Sequence, residues 1–310
     1  MNPQTHEDTL NPVETSRENA AMEEVAPLPE AELSQVEAVV EEAAAATESG
    51  IVENGVPDNG TEESGKDELE FKADTASDEP PISINHYGEP WWELVNVPTQ
   101  DNGEALVDVF QVAPKLRWMA DSPRFNFKRY GLIRESAAYM LRDAQELLPS
   151  GLYLQIVGAF RPFATQKAMY ERVWTEFKEK HPTWPDETIT EYVNVFSAPP
   201  IWETPPPHTT GGAVDLSIVT ADGERLDMIS PFEMGWDSAP AFIEGLSETA
   251  RANRQMLFDV LNSTGLTNFP GEWWHWSYGE PGWALRGGHP AALYGAIPDD
   301  EIPDWEPPTQ

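Results

Sequence analysis

The sequence predicts an α+β fold with an antiparallel sheet, preceded by a disordered acidic N-terminal tail. Two observations favour this class. Segments with the strand period of two and segments with the helical period of 3.6 follow one another in runs, without strict strand–helix–strand alternation. The composition also changes near residue 80, since all 12 tryptophans lie at or after Trp91. We therefore expect a tail over residues 1–80 and a folded domain over residues 81–310.

The predicted tail, residues 1–80, is dominated by Glu, Asp, Ala, Ser, Pro and Gly. Phe71 is its only aromatic residue. A segment with low hydrophobicity and high net charge buries too little apolar surface to offset its conformational entropy. Residues 31–46 have a helix-forming composition, which predicts a transient helix. We interpret the segment as a solvating tail; the alternative is an arm that binds a partner.

The overall composition excludes several classes of protein. The net charge of -35 argues against a nucleic-acid groove and against an anionic membrane surface. The absence of cysteine removes disulfides, thiolate zinc sites and cysteine nucleophiles. Residues 1–20 lack the basic and apolar regions of a signal peptide, and no apolar run reaches the roughly 18 residues of a membrane span. We expect a cytoplasmic protein without a nucleic-acid partner or a membrane span; no protein partner can be named.

The first half of the folded domain predicts two strands and two helices. Alternation over residues 107–112 indicates a strand, and a helix follows over 134–148. Residues 152–157 predict a second strand, and residues 164–180 a second helix that ends at His181-Pro182. Helical spacing predicts these inward-facing residues: Ala137, Leu141, Ala144 and Leu148 on the first helix, and Ala164, Ala168, Val173, Trp174 and Phe177 on the second.

The second half predicts two more strands around one helix. Residues 213–219 indicate a strand, and residues 232–245 a loop. The helix over 247–263 begins with a serine that can cap it. Residues 274–278 predict the last strand. The chain from residue 290 is rich in Pro and Asp, and we expect it to wrap the surface or to fray.

Two short stretches carry the candidate chemistry: His208-Thr-Thr-Gly-Gly-Ala-Val-Asp215 and Glu272-Trp-Trp-His275. Asp215 lies in an apolar run, where a carboxylate is costly unless it is paired or binds a cation. A catalytic zinc needs three ligands from His and Asp/Glu, an open position for water and a general base nearby. The four side chains fit that list. The spacing alone leaves a simpler alternative open, in which each histidine is a surface or core residue.

The relative directions of the Glu272 and His275 side chains depend on the backbone between them. Three residues apart, they share a face of a helix, whereas on a regular strand they point to opposite faces. A bulge or irregular backbone near Gly271 would then be needed to aim both at one centre. The alternative is an aromatic core strand whose polar groups meet solvent. In either case the neighbouring tryptophans are expected to pack in the core or to wall a pocket: Trp273, Trp274 and Trp276.

Two sequence segments resemble those of a known metallopeptidase family: His-Thr-Thr-Gly-Gly-Ala-Val-Asp-Leu and Glu-Trp-Trp-His-Trp-Ser-Tyr-Gly. It is the family of the vancomycin-resistance D-alanyl-D-alanine dipeptidases and their D,D-carboxypeptidase relatives, and the dipeptidase branch is the more similar. The resemblance covers roughly residues 105–285, with an Arg-Pro upstream of both stretches. It implies a central antiparallel sheet flanked by helices.

The resemblance also implies a role for each candidate residue. His208, Asp215 and His275 would be the ligands of one zinc ion per chain, and Glu272 the catalytic base. Arg161, in Ala-Phe-Arg-Pro, matches the family arginine that stabilises the transition state. An arginine at a strand end is a rigid source of positive charge for a tetrahedral oxyanion.

The implied function is zinc-dependent hydrolysis of the D-Ala-D-Ala dipeptide in peptidoglycan precursor turnover. Residues 81–310 would then be a zinc peptidase catalytic domain with a small D-amino-acid dipeptide as substrate. Two alternatives stay open. One is a D,D-carboxypeptidase that acts on longer muropeptide stems, and the other is a non-catalytic zinc-binding module.

Three positions depart from the family pattern. Pro206 stands where the family usually has a serine, and Gly158 where the dipeptidases often have an aspartate. The segment Glu233-Met-Gly-Trp-Asp237 resembles the family's Met-Gly-Thr-x-Phe-Asp, shortened by two residues. In that family the aspartate contacts the free amino group of the substrate. Asp237 is therefore our candidate substrate-binding residue, and a plain surface loop is the alternative.

Overall fold

The computed structural model describes residues 89–120, 125, 127–235 and 238–308. The predicted disordered tail lies outside these residues, so the division at residue 80 stays a prediction. The strands of the described chain are β1 (Leu106–Asp108), β2 (Arg117–Trp118), β3 (Leu132–Arg134), β4 (Leu152–Gly158), β5 (Ala213–Thr220), β6 (Thr267–Asn268) and β7 (His275–Ser277). The helices are α1 (Trp91–Leu94), α2 (Val109–Val112), α3 (Glu135–Leu147), α4 (Phe163–Lys180), α5 (Asp186–Phe196), α6 (Glu248–Asn262) and α7 (Pro281–Gly287), with 3-10 helices at Pro207–Thr210 and Asp299–Glu301.

A five-stranded sheet, in the order β2–β4–β5–β7–β6, forms the centre of the described fold. Strands β4, β5, β7 and β6 pair antiparallel, which confirms the predicted class. The edge strand β2 differs, because it pairs parallel with β4. The short strands β1 and β3 form a separate antiparallel pair.

The main hydrophobic core lies against one face of this sheet. Strand β5 is buried along most of its length, and its even-numbered residues Leu216 and Ile218 share a cluster with Leu154 of β4. Helices α3 and α6 cover this cluster with Leu141 and Leu257. Because side chains alternate along a strand, Asp215 projects from the opposite face of β5. The strand therefore holds an apolar core and a polar site on its two faces.

Several predicted elements are confirmed with small changes of boundary. Helix α3 carries Ala137, Leu141, Ala144 and, just past its end, Leu148 inward, as predicted. Ser247 caps α6 by accepting a hydrogen bond from the backbone N–H of Ala250 at 3.0 Å. Over the described residues, no helix combines the length and the apolar character that crossing a bilayer requires.

Two predictions for the helical regions were wrong. The strand predicted over 107–112 ends at Asp108, whose side chain accepts a hydrogen bond from the Phe110 N–H and so begins helix α2. In α4, Ala164 and Ala168 are exposed rather than inward. The reason is that α4 packs mainly on α5, a helix that was not predicted. The two helices share a second cluster of side chains: Tyr170, Val173, Trp174, Phe177, Trp184, Ile189, Tyr192 and Val193.

The chain beyond residue 290 wraps the surface rather than frays. Tyr294 is fully buried, and Trp305 packs edge-on against Trp118 with ring centroids 5.1 Å apart. The Ile297 N–H donates a hydrogen bond to the carbonyl oxygen of Thr209, in the 3-10 helix Pro207–Thr210. This last segment therefore supports the region that carries His208.

Candidate metal and catalytic centre

His208 is held in a fixed orientation by the end of strand β4. Its Nδ1 lies 2.7 Å from the carbonyl oxygen of Ala159. A carbonyl only accepts hydrogen bonds, so Nδ1 carries the proton and Nε2 presents its lone pair on the other side of the ring. In return, the Arg161 backbone N–H donates to the His208 carbonyl at 3.1 Å. Two reciprocal hydrogen bonds thus join the strand end to the histidine.

Gly211 makes the connection between the histidine and strand β5 possible. It ends the 3-10 helix in the left-handed region, with φ of 72°, a conformation that glycine adopts without steric cost. The chain then enters β5 at once, so that Asp215 comes back toward His208. The Nε2 of His208 lies 3.4 Å from Oδ1 of Asp215.

Asp215 and His275 are brought together by the register of two strands. They are direct cross-strand partners in the antiparallel β5–β7 pair, and such partners project from the same face. The Nδ1 of His275 lies 3.0 Å from Oδ1 of Asp215. The next pair, Val214 and Trp276, projects into the core on the other face.

The donor atoms of His208, Asp215 and His275 all lie within 4.8 Å of one another. Ligands about 2.0–2.1 Å from a tetrahedral zinc ion are roughly 3.3 Å apart, which matches the 3.4 Å and 3.0 Å separations. The three side chains are largely buried, with 8% exposure for each histidine and 19% for the aspartate. Their chemistry and spacing fit a divalent cation such as zinc.

The electrostatics of Asp215 and His208 suit metal binding, whereas those of His275 favour its protonated form. Burial alone raises the pKa of Asp215, but the two imidazoles and their hydrogen bonds outweigh it and hold the pKa well below its usual value. Burial lowers the pKa of His208. The pKa of His275 is raised: burial acts to lower it, but the hydrogen bond and charge of Asp215, together with the charges of Glu272 and Glu280, outweigh burial. An ionised carboxylate and neutral imidazoles are the forms that coordinate a metal.

Glu272 reaches the same centre from a tight turn before β7. The His275 N–H donates to the Glu272 carbonyl at 3.2 Å, which closes the turn. This irregular backbone places both side chains on one side, so that Glu272 Oε2 lies 3.9 Å from His275 Nδ1. The sequence predicts that an irregular backbone near Gly271 is needed to aim both side chains at one centre, and this turn provides it.

The environment of Glu272 raises the pKa of its carboxyl to about 7. Burial is the largest cause, and the charge of Asp215 also raises it. The positive charges of His275 and Arg161, together with a hydrogen bond from the Trp274 side chain, act in the opposite direction. A carboxylate with a pKa near neutrality is suited to accept and then release a proton.

Arg161 follows strand β4 at a point where its pairing with β5 is irregular. The register shifts between Ile156 and Gly158, and the chain then carries Arg161 to a small cavity that Asp215 and Phe127 also line. Burial lowers the pKa of Arg161, while the charges of Asp215 and Glu272 raise it. The guanidinium thus lies within electrostatic reach of both carboxylates.

Of the two remaining positions, the structure describes Gly158 but not Asp237. Asp237 lies outside the described residues, so its role stays a prediction. Gly158 is the cross-strand partner of Asp215, and a β-carbon there would meet no atom within 4 Å. The position therefore has room for the aspartate that the dipeptidases often have, and this chain has a glycine there instead.

Three further residues support the centre and were not predicted. The side-chain amide of Asn268 donates to the carbonyls of Glu272 and His275, both at 2.9 Å, and so holds the turn. The Trp274 side chain acts to lower the pKa of the Glu272 carboxyl, an effect that its expected place in the core or a pocket wall did not indicate. Gln166 contacts Arg161. None of these contacts follows from spacing, because each joins residues through tertiary packing or an irregular turn.

Comparisons with known proteins agree with this arrangement. A peptidase M15 family model, described as D-ala-D-ala dipeptidase, matches residues 124–290. A D-alanyl-D-alanine dipeptidase from Synechocystis sp. is 28% identical over 154 residues, with 42% of this chain and 61% of that protein covered. A D-alanyl-D-alanine dipeptidase from Escherichia coli is 27% identical over 126 residues, with 41% of this chain and 55% of that protein covered. The chain thus spans less than two thirds of the length of either relative.

Two solved structures are also similar. VanYB in complex with D-Alanine-D-Alanine has a TM-score of 0.36 and 15% identity, with 64% of this chain and 92% of that chain covered. A mutant of the vancomycin resistance D,D-pentapeptidase VanY in complex with Zn(II) has a TM-score of 0.35 and 16% identity, with 65% of this chain and 96% of that chain covered.

The family model settles the resemblance that the two sequence stretches indicated. Its match covers more than half of the chain. It contains both stretches and the upstream Arg-Pro, whose side chains the fold gathers around one centre. The chain therefore belongs to the D-ala-D-ala dipeptidase family of peptidases.

Proposed function

We propose that this chain is a zinc-dependent peptidase that hydrolyses the D-Ala-D-Ala dipeptide. The observation that carries the proposal is the convergence of three donor atoms within 4.8 Å of one another, from His208, Asp215 and His275. Glu272 and Arg161 lie beside them, so the arrangement includes a proton carrier and a fixed positive charge. Membership of a peptidase family supports the same reaction class.

His208, Asp215 and His275 would hold the zinc, with the fourth position of the tetrahedron open. When bound, the ion supplies a Lewis acid that activates water and polarises the scissile carbonyl. Glu272 accepts a proton from the attacking water and returns it to the leaving amine. The Arg161 guanidinium stabilises the negative charge that develops on the carbonyl oxygen.

The free dipeptide is the substrate that the names of the two sequence relatives favour, since both are D-alanyl-D-alanine dipeptidases. A dipeptidase must recognise the free ammonium group, for which Asp237 is our candidate. One observation favours the alternative of a D,D-carboxypeptidase that acts on longer stems. Pro206 stands where the family usually has a serine that helps to hold the substrate.

The first experiment measures D-alanine release from D-Ala-D-Ala by the purified, zinc-loaded chain. We expect Glu272→Gln to lower kcat by roughly 10²- to 10⁴-fold, because the proton carrier is lost. The matched control is Glu224→Gln, an exposed glutamate beyond β5, which should keep the wild-type rate. Equal rates for the wild type and Glu272→Gln would reject the proposal.

A second experiment tests the metal. We expect one zinc per chain, loss of hydrolysis on treatment with a chelator, and recovery on addition of zinc. His208→Ala should lose zinc, because a ligand is removed from a site that has three protein ligands. A zinc-free wild-type chain that hydrolyses at full rate would contradict the metal's role.

The substrate alternatives are separated by blocking the amine. A dipeptidase should hydrolyse free D-Ala-D-Ala and reject N-acylated D-Ala-D-Ala, because burying the acyl group against an ammonium site leaves polar groups unpaired. Faster turnover of the acylated peptide would favour the D,D-carboxypeptidase. Bound zinc with no turnover of either peptide would favour the non-catalytic module.

A further inference from the structure

Gln166 is a buried polar side chain that touches Arg161 and that the mechanism above does not use. It lies in the first turns of α4, and only 2% of its surface is exposed. Its Oε1 accepts a hydrogen bond from Arg161 Nη1 at 2.7 Å. Its Nε2 donates to the carbonyl oxygen of Ala198 at 2.9 Å. Both ends of the amide therefore have a partner.

These two partners determine the orientation of the amide. A guanidinium only donates hydrogen bonds and a backbone carbonyl only accepts them. The oxygen of Gln166 must therefore face Arg161, and the nitrogen must face Ala198. A rotation of the amide by half a turn would place two donors together and two acceptors together. The side chain can thus occupy one orientation, and it presents a fixed acceptor to the arginine.

The backbone around Arg161 reinforces this restraint. The residue precedes Pro162, and a residue before proline is confined to extended conformations. Helix α4 begins directly after Pro162, and helical side chains lean back toward the N-terminus of their helix. Gln166 therefore projects toward the arginine from a rigid element. A long side chain such as that of arginine otherwise retains considerable rotamer freedom.

We propose that Gln166 is the positioning residue for Arg161: it holds the guanidinium aimed at the oxyanion of the hydrolysis. This inference rests on the proposed function, because the oxyanion belongs to that reaction. Gln166 itself does not touch the reacting atoms. Its effect passes through one side chain, and this distinguishes it from a residue that only stabilises the fold.

The test is a double-mutant cycle on the zinc-loaded full chain with the substrate that the wild type hydrolyses. Gln166→Met keeps the approximate shape of the side chain and removes both hydrogen bonds. We expect it to lower kcat roughly 10- to 100-fold, because small displacements of a catalytic group have costs of this order. In an Arg161→Ala background, the same substitution should lower kcat by less than about twofold, because the group that it positions is gone.

The matched control is Gln145→Met. Gln145 is also a buried helical glutamine, and its amide bonds the carbonyl of Leu152 and the N–H of Leu154, at the far end of β4. We expect this variant to lose stability and to keep the wild-type kcat. Equal factors for Gln166→Met with and without Arg161 would overturn the proposal, since they would indicate a structural role only.

A binding measurement separates this inference from the proposed function. A phosphinate analogue of D-Ala-D-Ala carries an anionic oxygen in place of the tetrahedral oxyanion and needs no turnover. We expect Gln166→Met, and not Gln145→Met, to weaken its binding in calorimetry. A wild type that binds the analogue without hydrolysis would reject the function, and weaker binding by Gln166→Met would then still support the positioning of Arg161 by Gln166. If the wild type hydrolyses the substrate and Gln166→Met retains both kcat and analogue affinity, the inference alone is rejected. If the wild type neither hydrolyses the substrate nor binds the analogue, the inference and the proposed function are both rejected.

Discussion

Gly212 explains why the first stretch contains two glycines. A β-carbon at this position would collide with the carbonyl oxygen of Tyr278 and approach Thr210 Oγ1 at 3.1 Å. The Tyr278 N–H also donates to the Gly212 carbonyl at 2.9 Å. The backbones of β5 and of the segment after β7 therefore lie too close for any side chain between them. Gly211 allows the chain to turn, and Gly212 allows the two backbones to approach closely.

We expect Gly212→Ala to lower the free energy of unfolding by about 1–3 kcal/mol, because the two backbones must separate. Urea unfolding, followed by tryptophan fluorescence, measures the change. Gly235→Ala is the control: a β-carbon there would meet no atom within 4 Å, so its stability should be close to that of the wild type. An unchanged midpoint for Gly212→Ala would show that the strands can separate without cost.

The candidate residues of the centre were predicted from the sequence, but the contacts that support them were not. His208, Asp215, Glu272, His275 and Arg161 stand in two recognisable stretches and an Arg-Pro. The side chains that orient them have no such pattern, since glutamine and asparagine are common in helices, turns and short strands alike. Only the packed structure shows which amides face the centre.

Helix α4 depends on a cap from a distant part of the chain. Its N-cap residue is Pro162, whose side chain cannot accept a hydrogen bond from the first turn. Asp299 supplies the missing acceptor: its two carboxylate oxygens accept from the N–H groups of Phe163 at 2.9 Å and Ala164 at 3.2 Å. A negative charge at a helix N-terminus also interacts favourably with the helix dipole. Asp299 lies beyond the region that the family model matches.

We expect Asp299→Ala to destabilise the fold by about 1 kcal/mol, the usual effect of removing an N-terminal cap. Chemical denaturation provides the measurement. The neighbouring Asp300 is also exposed, and Asp300→Ala should change the stability by less than about 0.5 kcal/mol. Equal losses for both variants would indicate that charge alone, rather than the cap, is responsible.

The helices differ in how well the sequence predicts them. Helix α3 has a single apolar face against the sheet, so its periodicity reports its burial correctly. Helix α4 packs on α5 with large aromatic side chains, and its exposed alanines lie on the face that we predicted to be inward. Periodicity shows that a helix is amphipathic. It does not show which partner covers the helix.

The stability of the whole molecule should fall in acid partly through Asp227. Burial raises the pKa of this carboxyl, but hydrogen bonds from the N–H groups of Ser230 and Ile229 and from the side chains of Ser230 and Ser247 outweigh burial and lower the pKa. A group whose folded pKa lies below its unfolded value of about 3.9 stabilises the fold above that pH. This contribution is lost as the pH falls from there through the folded pKa.

We therefore expect Asp227→Asn to weaken the pH dependence of stability. The free energy of unfolding of the wild type should decrease between about pH 6 and about pH 3, and the decrease should be smaller in the variant. Denaturant titrations of the wild type and the variant at the two pH values measure this decrease. An identical decrease in both proteins would mean that Asp227 does not contribute.

Local patterns in the sequence were enough to predict the family, the α+β class and the principal strands and helices, and to single out five candidate residues that the structure brings together. These patterns are periodicity, caps, turn residues and two short motifs. Only the pairing of strands shows that residues 60 positions apart, Asp215 and His275, share one face of the sheet. Only the packed structure shows that the amide of Gln166 contacts Arg161 and that the carboxylate of Asp299 caps α4. Such contacts arise from strand register and packing between distant segments, and no pattern within a single segment encodes them.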